Sequence, residues 1–332
     1  MIETKPKTKA KTKISIKLLT ASEYYQELLD AIKNTQERIV ICSMTTDSSN
    51  KVSALLDQIE AALKRGVSVV MIFDKYGVSL LSEGNLANVS RRNSTINRLN
   101  ELKRRGAEIH IVGGIGLNPY ANRMHIKATV LDDVVYTFGG VNFQGSFANN
   151  DIMFKVENKS ILDFVLRQLD NVKSGEVHDK EAVIDHTTSA LIDGGVHGRS
   201  IIYERALELA NKSKEIYLVS RMCPSGSLGS AISDLNGSCY FNRPSHMTFP
   251  TNYSIIIDQL RTGVKNQYLV NKNVHAKFIL FKHLDGTKSF ISGSNNFNWR
   301  GVKFGTKEIA VYSKDEQLWQ ELYDYMLRLN EV

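Results

Sequence analysis

The chain has 332 residues, 42% of them hydrophobic and 23% charged, with a formal net charge of +7; this composition excludes a disordered chain and is enough for two domains. No stretch approaches the roughly 18–20 uninterrupted apolar residues of a spanning helix. The three cysteines, Cys42, Cys223 and Cys239, show neither metal-ligand spacing nor a disulfide framework, so a reducing, intracellular compartment is expected, and the positive charge favours an anionic partner such as nucleic acid, a membrane or a phosphorylated substrate.

The N-terminal stretch MIETKPKTKAKTKISIK carries Lys5, Lys7, Lys9, Lys11, Lys13 and Lys17 against Glu3 and lacks the apolar core of a signal peptide. Residues 1–13 are expected to be a flexible basic arm, either docked on an anionic surface or solvated. SEYYQELLDAIKNTQ (22–36) reads as a helix capped by Ser22, with Leu28, Leu29 and Ile32 on one face. A strand, RIVICSM (38–44), follows, then an amphipathic helix (51–66) stopped by Gly66 and the strand VSVVMIFD (67–74). A helix over 94–106, also stopped by glycine, precedes the strand AEIHIV (107–112). This βαβ rhythm is that of an α/β sheet.

The order then repeats. A helix at 201–212 leads into EIYLVSRM (215–222), which echoes RIVICSM, and a helix at 251–263 ends at glycine. Strands KSFISGS (288–294) and EIAVYS (308–313) precede a last helix (315–329) that matches the one at 160–172. Two halves with one order of elements imply an internal duplication: an N-terminal domain over 14–175, a polar, Gly-rich linker over 176–200 and a C-terminal domain over 201–332.

Each half carries His-x-Lys at the start of an apolar run: His125 and Lys127, then His275 and Lys277. On a strand, alternate side chains share a face, so each motif offers an imidazole and an ammonium to a common space. Asn142 and Asn296 follow each returning strand and can reach the same end. Two imidazoles, two ammonium groups and two carboxamides suit a phosphodiester: the cations and amides hold the non-bridging oxygens, and the histidines carry the covalent and proton-transfer steps. Neither a metal nor an organic cofactor is called for, because the lysines supply the positive charge.

With its spacing to Asp132, Gly139, Gly140 and Asn142, the first motif resembles the signature of the phospholipase D superfamily; the second supplies Gly293, Ser294 and Asn296. The stretches RGVSVVMIFDKYG, LKRRGAEIHIV and NRMHIKATVLDDVVYTFGGVN are similar to the first half of bacterial cardiolipin synthases. The resemblance implies two pseudo-symmetric α/β domains in a single chain, each a mixed sheet flanked by helices, with the active site at their interface. It also implies a phosphohistidine intermediate, with Gly140 and Ser294 at the substrate and an acidic residue after each motif, here Asp151 and Glu308. The expected activity is phosphatidyl transfer between phospholipid head groups, by an enzyme peripheral to the cytoplasmic face of an anionic membrane. The alternative is a phospholipase D-type phosphodiesterase or a metal-independent nuclease, with nucleic acid as partner.

Lys282 stands where the signature has Asp, and Asp132 lies an odd number of residues from His125, so both are expected to face away from the site. His110, His178, His186, His197, His246 and His283 have no partner spacing. CYFNRPSHMTFP (239–250) reads either as a lid or membrane-facing loop or as packing. Trp299 and Arg300 border the site or pack beside it.

Overall fold

The computed structural model describes residues 15–78, 89–114, 121–148 and 150–331; the stretch expected to be a basic arm, 1–13, lies outside the described residues. The first strand, β1 (Ser15–Thr20), was not anticipated from the sequence: SIKLLT is a short edge strand whose Lys17 faces water. It runs straight into α1 (Ala21–Asn34). The cap of that helix is Thr20 rather than Ser22: its hydroxyl accepts from the Glu23 backbone N–H, while the Glu23 carboxylate accepts from Thr20 N, a reciprocal capping box. Then follow β2 (Arg38–Ser43), α2 (Asn50–Lys64), β3 (Ser68–Asp74), α3 (Val89–Arg104), β4 (Glu108–Val112), β5 (Ala128–Leu131), β6 (Val134–Thr137), β7 (Ile152–Glu157) and α4 (Lys159–Ser174).

The second half comprises β8 (Lys180–Val183), β9 (Thr188–Gly194), α5 (Ile201–Ala210), β10 (Ser213–Val219), α6 (Gly226–Asp234), β11 (Ser238–Tyr240), α7 (Thr251–Thr262), β12 (Phe278–His283), β13 (Lys288–Gly293), α8 (Trp299–Lys303), β14 (Lys307–Ser313) and α9 (Glu316–Arg328). Among the described residues two seven-stranded sheets result, in the orders β1-β7-β6-β5-β2-β3-β4 and β11-β10-β12-β13-β14-β9-β8. Reversing the first superposes the two topologies: β3, β2, β5, β6, β7 and β1 correspond to β11, β10, β12, β13, β14 and β9. Both sheets are mixed, since β2 pairs with β3 and β10 with β11 in parallel while the hairpin strands pair antiparallel.

The expected linker, 176–200, is a correction. Thr188–Gly194 pairs along its whole length with Ser313–Lys307 of β14. The stretch reads as polar because only Ala190, Leu191 and Ile192 are apolar, but its polar members are buried with partners: Thr188 with Ser313, and Asp193 with Ser200. Central strands may carry such residues once each donor and acceptor is paired.

Three apolar layers hold the molecule together. One lies between the first sheet and α1 and α2, around Leu28, Ile32, Leu55, Ile59 and Phe73. Its counterpart lies between the second sheet and α5 and α6, around Ile202, Ala206, Leu228 and Ile232. The third is shared: the other faces of both sheets, with Val130, Phe154, Phe278 and Phe290, close over Phe164 of α4 and Trp319 of α9. Phe154 and Phe290 stack across the halves with ring centroids 6.4 Å apart. Removing a buried aromatic of this kind costs ~3–5 kcal/mol, so this shared layer binds the two halves together.

Candidate active site

His125 and His275 sit just before β5 and β12 rather than within them, and each lead-in is pinned to the opposite half. His125 N–H donates to Lys307 O at 2.9 Å and Lys307 N–H to Arg123 O at 2.8 Å; His275 N–H donates to Asn150 O at 2.8 Å. Lys307 and Asn150 immediately precede the two acidic residues. The result is a crossed pairing: Nδ1 of His125 lies 2.8 Å from Glu308, and Nδ1 of His275 lies 2.6 Å from Asp151. With Nδ1–H donating to a carboxylate, each imidazole keeps Nε2 for chemistry.

The lead-ins are matched further back. Asp74, at the end of β3, accepts from Met124 N at 2.8 Å, and Asn242, after the corresponding strand β11, accepts from Val274 N at 2.9 Å. Asp74 also binds Arg123 Nε at 2.8 Å, and that guanidinium lies over the Tyr76 ring, 4.1 Å from its centroid.

Both motif lysines are fully buried. Lys127 Nζ donates to His125 O at 2.7 Å, and Lys277 Nζ donates to His275 O. Lys277 Nζ is also 3.1 Å from Nδ1 of His275; a carboxylate only accepts, so the Nδ1 proton goes to Asp151 and the ammonium to the carbonyl. Burial depresses both amines, Lys127 to about 8, opposed by Glu308 and Asp151, and Lys277 to about 7, opposed mainly by Asp151. Burial and then the lysines hold His125 well below its ordinary value and His275 down at about 3.

The two carboxylates differ. Burial would raise Asp151, but His275 and Lys277 outweigh it and keep the group ionised below its usual range. Burial prevails at Glu308 and lifts it to about 7 against Lys127 and the Ser294 hydroxyl. Arg221, after β10, adds a guanidinium that interacts electrostatically with Asp151.

The motif glycines are explained by close backbone approach. A Cβ on Gly139 would stand 2.0 Å from Ile152 O, and one on Gly293 2.3 Å from Ile309 O. At the next position the halves diverge: Ser294 Oγ donates to Glu308, whereas a Cβ on Gly140 would lie 2.4 Å from Asp151 Oδ1 and 2.9 Å from Lys277 Nζ. The shorter acid sits nearer the backbone, and glycine makes room for it.

Asn142 is buried, with Oδ1 3.5 Å from Ser43 Oγ. Asn296 accepts from Ser220 Oγ through its backbone carbonyl at 3.0 Å, and its Oδ1 is buried with no hydrogen-bond partner among the described residues. Ser43 and Ser220, like Arg221, Asp74 and Asn242, were not singled out from the sequence, and Arg123 entered only within the stretch NRMHIK that carries the resemblance. The serines were nonetheless visible in the sequence, since aligning RIVICSM with EIYLVSRM puts them in register.

Contacts at this seam join eight of the ten proposed site residues, His125, Lys127, Gly140, Asp151, His275, Lys277, Ser294 and Glu308, while Asn142 and Asn296 are held by Ser43 and Ser220. Asp132 and Lys282 are bound elsewhere: the Asp132 carboxylate accepts from the backbone N–H groups of Gln36, Glu37 and Arg38, and Lys282 binds Glu215 and the Tyr217 hydroxyl. Among the remaining histidines, His283 is buried between Ser213 and Ser289, and His110 pairs with Glu108.

A family model described as "Cardiolipin synthase, PLD-like domain" matches residues 28–173. The whole fold is similar to the crystal structure of phosphatidylserine synthase from Haemophilus influenzae Rd KW20, with a TM-score of 0.71 and 12% identity over 95% of this chain and 86% of that one. It is also similar to polyphosphate kinase from Porphyromonas gingivalis, with a TM-score of 0.61 and 14% identity over 96% of this chain and 47% of the other. A search of curated protein sequences returns no match.

Proposed function

We propose that this chain, which belongs to the phospholipase D superfamily, is a phosphatidyltransferase resembling cardiolipin synthase, acting through a phosphohistidine at the cytoplasmic face of an anionic membrane. The observation that carries the reading is the crossed pairing, which backs each of two imidazoles with a carboxylate from the opposite half. The family match over residues 28–173 supports a phospholipid substrate, as does the fold shared with a phosphatidylserine synthase.

In the first step Nε2 of His125 bonds to phosphorus and the bond to the departing alcohol breaks. That oxygen takes the Nε2 proton of His275, whose imidazolium is favoured by the ionised Asp151 and by the bound diester anion. In the second step the acceptor hydroxyl gives its proton to His275 as its oxygen bonds phosphorus. The N–P bond then breaks and its electrons return to His125. Lys127, Lys277, Asn142 and Asn296 hold the non-bridging oxygens, with Gly140 and Ser294 beside them. The protein supplies this positive field preorganised, so little reorganisation accompanies the developing charge.

The test is incubation of purified protein with phosphatidylglycerol vesicles and, separately, with single- and double-stranded DNA. Transfer or release of glycerol from the lipid, lost in His125→Ala and in His275→Ala, is the expected result. A phosphoenzyme trapped by alkaline denaturation, because a histidine–phosphorus bond is labile in acid, should map to His125; mapping to His275 reverses the order of attack. DNA cleavage without lipid turnover replaces the reading with a nuclease.

A further inference from the structure

Helix α7 is apolar on its outer side. Its buried residues are Ile255 and Asp258, yet Tyr253, Ile256 and Leu260 are 59%, 43% and 80% exposed, and Phe249, one turn before Tyr253, is 80% exposed. Spacings of three and four place Tyr253, Ile256 and Leu260 on one face of this 3.6-residue helix, opposite the face that packs on the domain, and Phe249 stands in the turn just before it. Scattered exposed apolar residues need no explanation, but a stripe with no partner among the described residues marks an interaction surface.

Cations predominate in the segment that carries the stripe, with the exposed Asp234 of α6 just ahead of it. From Leu235 to Val274 the only carboxylate is Asp258, and it is buried against Arg300. Over the same interval Arg243, Arg261, Lys265 and Lys272 are exposed. Arg300 ties this helix to the active site: it pairs with Asp258 and reaches Ser254 O at 3.5 Å, and it stands four residues after Asn296. Asn242, ahead of α7, binds the backbone carbonyls of Arg221 and Val274, the neighbour of His275.

We infer that the outer face of α7, with Phe249, is the surface on which the protein docks to an anionic lipid bilayer. The apolar stripe enters the headgroup boundary and the flanking cations meet lipid phosphates, the pattern of an interfacial amphipathic helix. Docking here holds the mouth of the seam against the layer that contains the substrate. A second copy of the chain would oppose one basic rim to another, which disfavours a dimer through this face. The inference deepens the phosphatidyltransferase reading and rests on it for the identity of the lipid.

The three native cysteines are buried, so Leu260→Cys can be labelled selectively with an environment-sensitive thiol dye. With phosphatidylglycerol vesicles the dye should shift to the blue, and the shift should be weaker with phosphatidylcholine alone. The double variant Ile256→Glu, Leu260→Glu should bind vesicles about tenfold less tightly or worse, with unchanged melting temperature and unchanged turnover of a short-chain soluble diester. No shift on vesicles, or a shift without vesicles that grows with protein concentration, overturns the inference, the latter in favour of a second copy. Vesicle docking without turnover of any phospholipid leaves the surface standing and removes the proposed reaction. Turnover of the soluble diester with a silent dye does the reverse.

Discussion

Asp151 holds Nδ1 of His275 at 2.6 Å although the two residues are 124 positions apart in the chain, while the acid of the second half, Glu308, holds His125, 183 positions away. Each half therefore completes the other's motif histidine, and neither domain by itself contains His125 or His275 together with its acid.

Replacing Asp151 with Asn should remove the downfield Nδ1–H proton resonance of His275 and leave that of His125 in place. Turnover should fall by about 10²–10⁴, as when a triad carboxylate is made an amide and the imidazole tautomer is lost. Loss of the His125 resonance instead would show the pairing to be uncrossed.

The depressed lysines set the alkaline behaviour. The seam holds the phosphate with charged amines, and Lys277 and Lys127 lose their protons near about 7 and about 8 in the free protein. The value of kcat/KM for a soluble diester should therefore fall between about pH 7 and pH 9, and kcat should fall at higher pH because the bound anion favours the ammonium forms. Stability moves the other way: in that window the unfolded chain, with lysines near 10.5, binds more protons than the native one, so this contribution rises with pH. A flat kcat/KM across the window would mean that the amines are not required charged.

Gly140→Ser and Ser294→Gly exchange the small residues of the two halves and should not be equivalent. A serine at 140 drives its Cβ into Asp151 and Lys277, so turnover should drop by more than about 10² and stability by ~1–3 kcal/mol. A glycine at 294 removes the hydrogen bond to Glu308 and the one accepted from Ile309 N–H at 3.0 Å, and should cost about tenfold in kcat and about 1 kcal/mol of stability. Equal effects would contradict the geometry.

Lys282→Asp should leave kcat nearly unchanged and lower the melting temperature. Lys282 lies within 5.3–6.0 Å of the ring centroids of Tyr217, Trp319 and Tyr323 and pairs with Glu215. Loss of these contacts and repulsion from Glu215 amount to ~1–2 kcal/mol. A large fall in kcat at a temperature where the variant is folded would mean that β12 carries this side chain into the seam.

Much of the chemistry was legible in the sequence because it depends on local pattern. His-x-Lys followed by a strand, a glycine and an asparagine is a short-range motif, and its repetition at 125–142 and 275–296 announces two halves of one site. The helices stopped by a glycine, such as α2 and α7, were legible for the same reason. Elements whose residues are defined by their partners were not. β9 looked like a linker because burial of Thr188 and Asp193 is tolerable only once Ser313 and Ser200 satisfy them, and β1 is recognisable as a strand only beside β7. Which acid serves which histidine, and why Gly140 differs from Ser294, are decided by tertiary structure alone. They follow from backbone hydrogen bonds that each half makes to the other, and a pairing between residues more than a hundred positions apart leaves no periodicity in the chain.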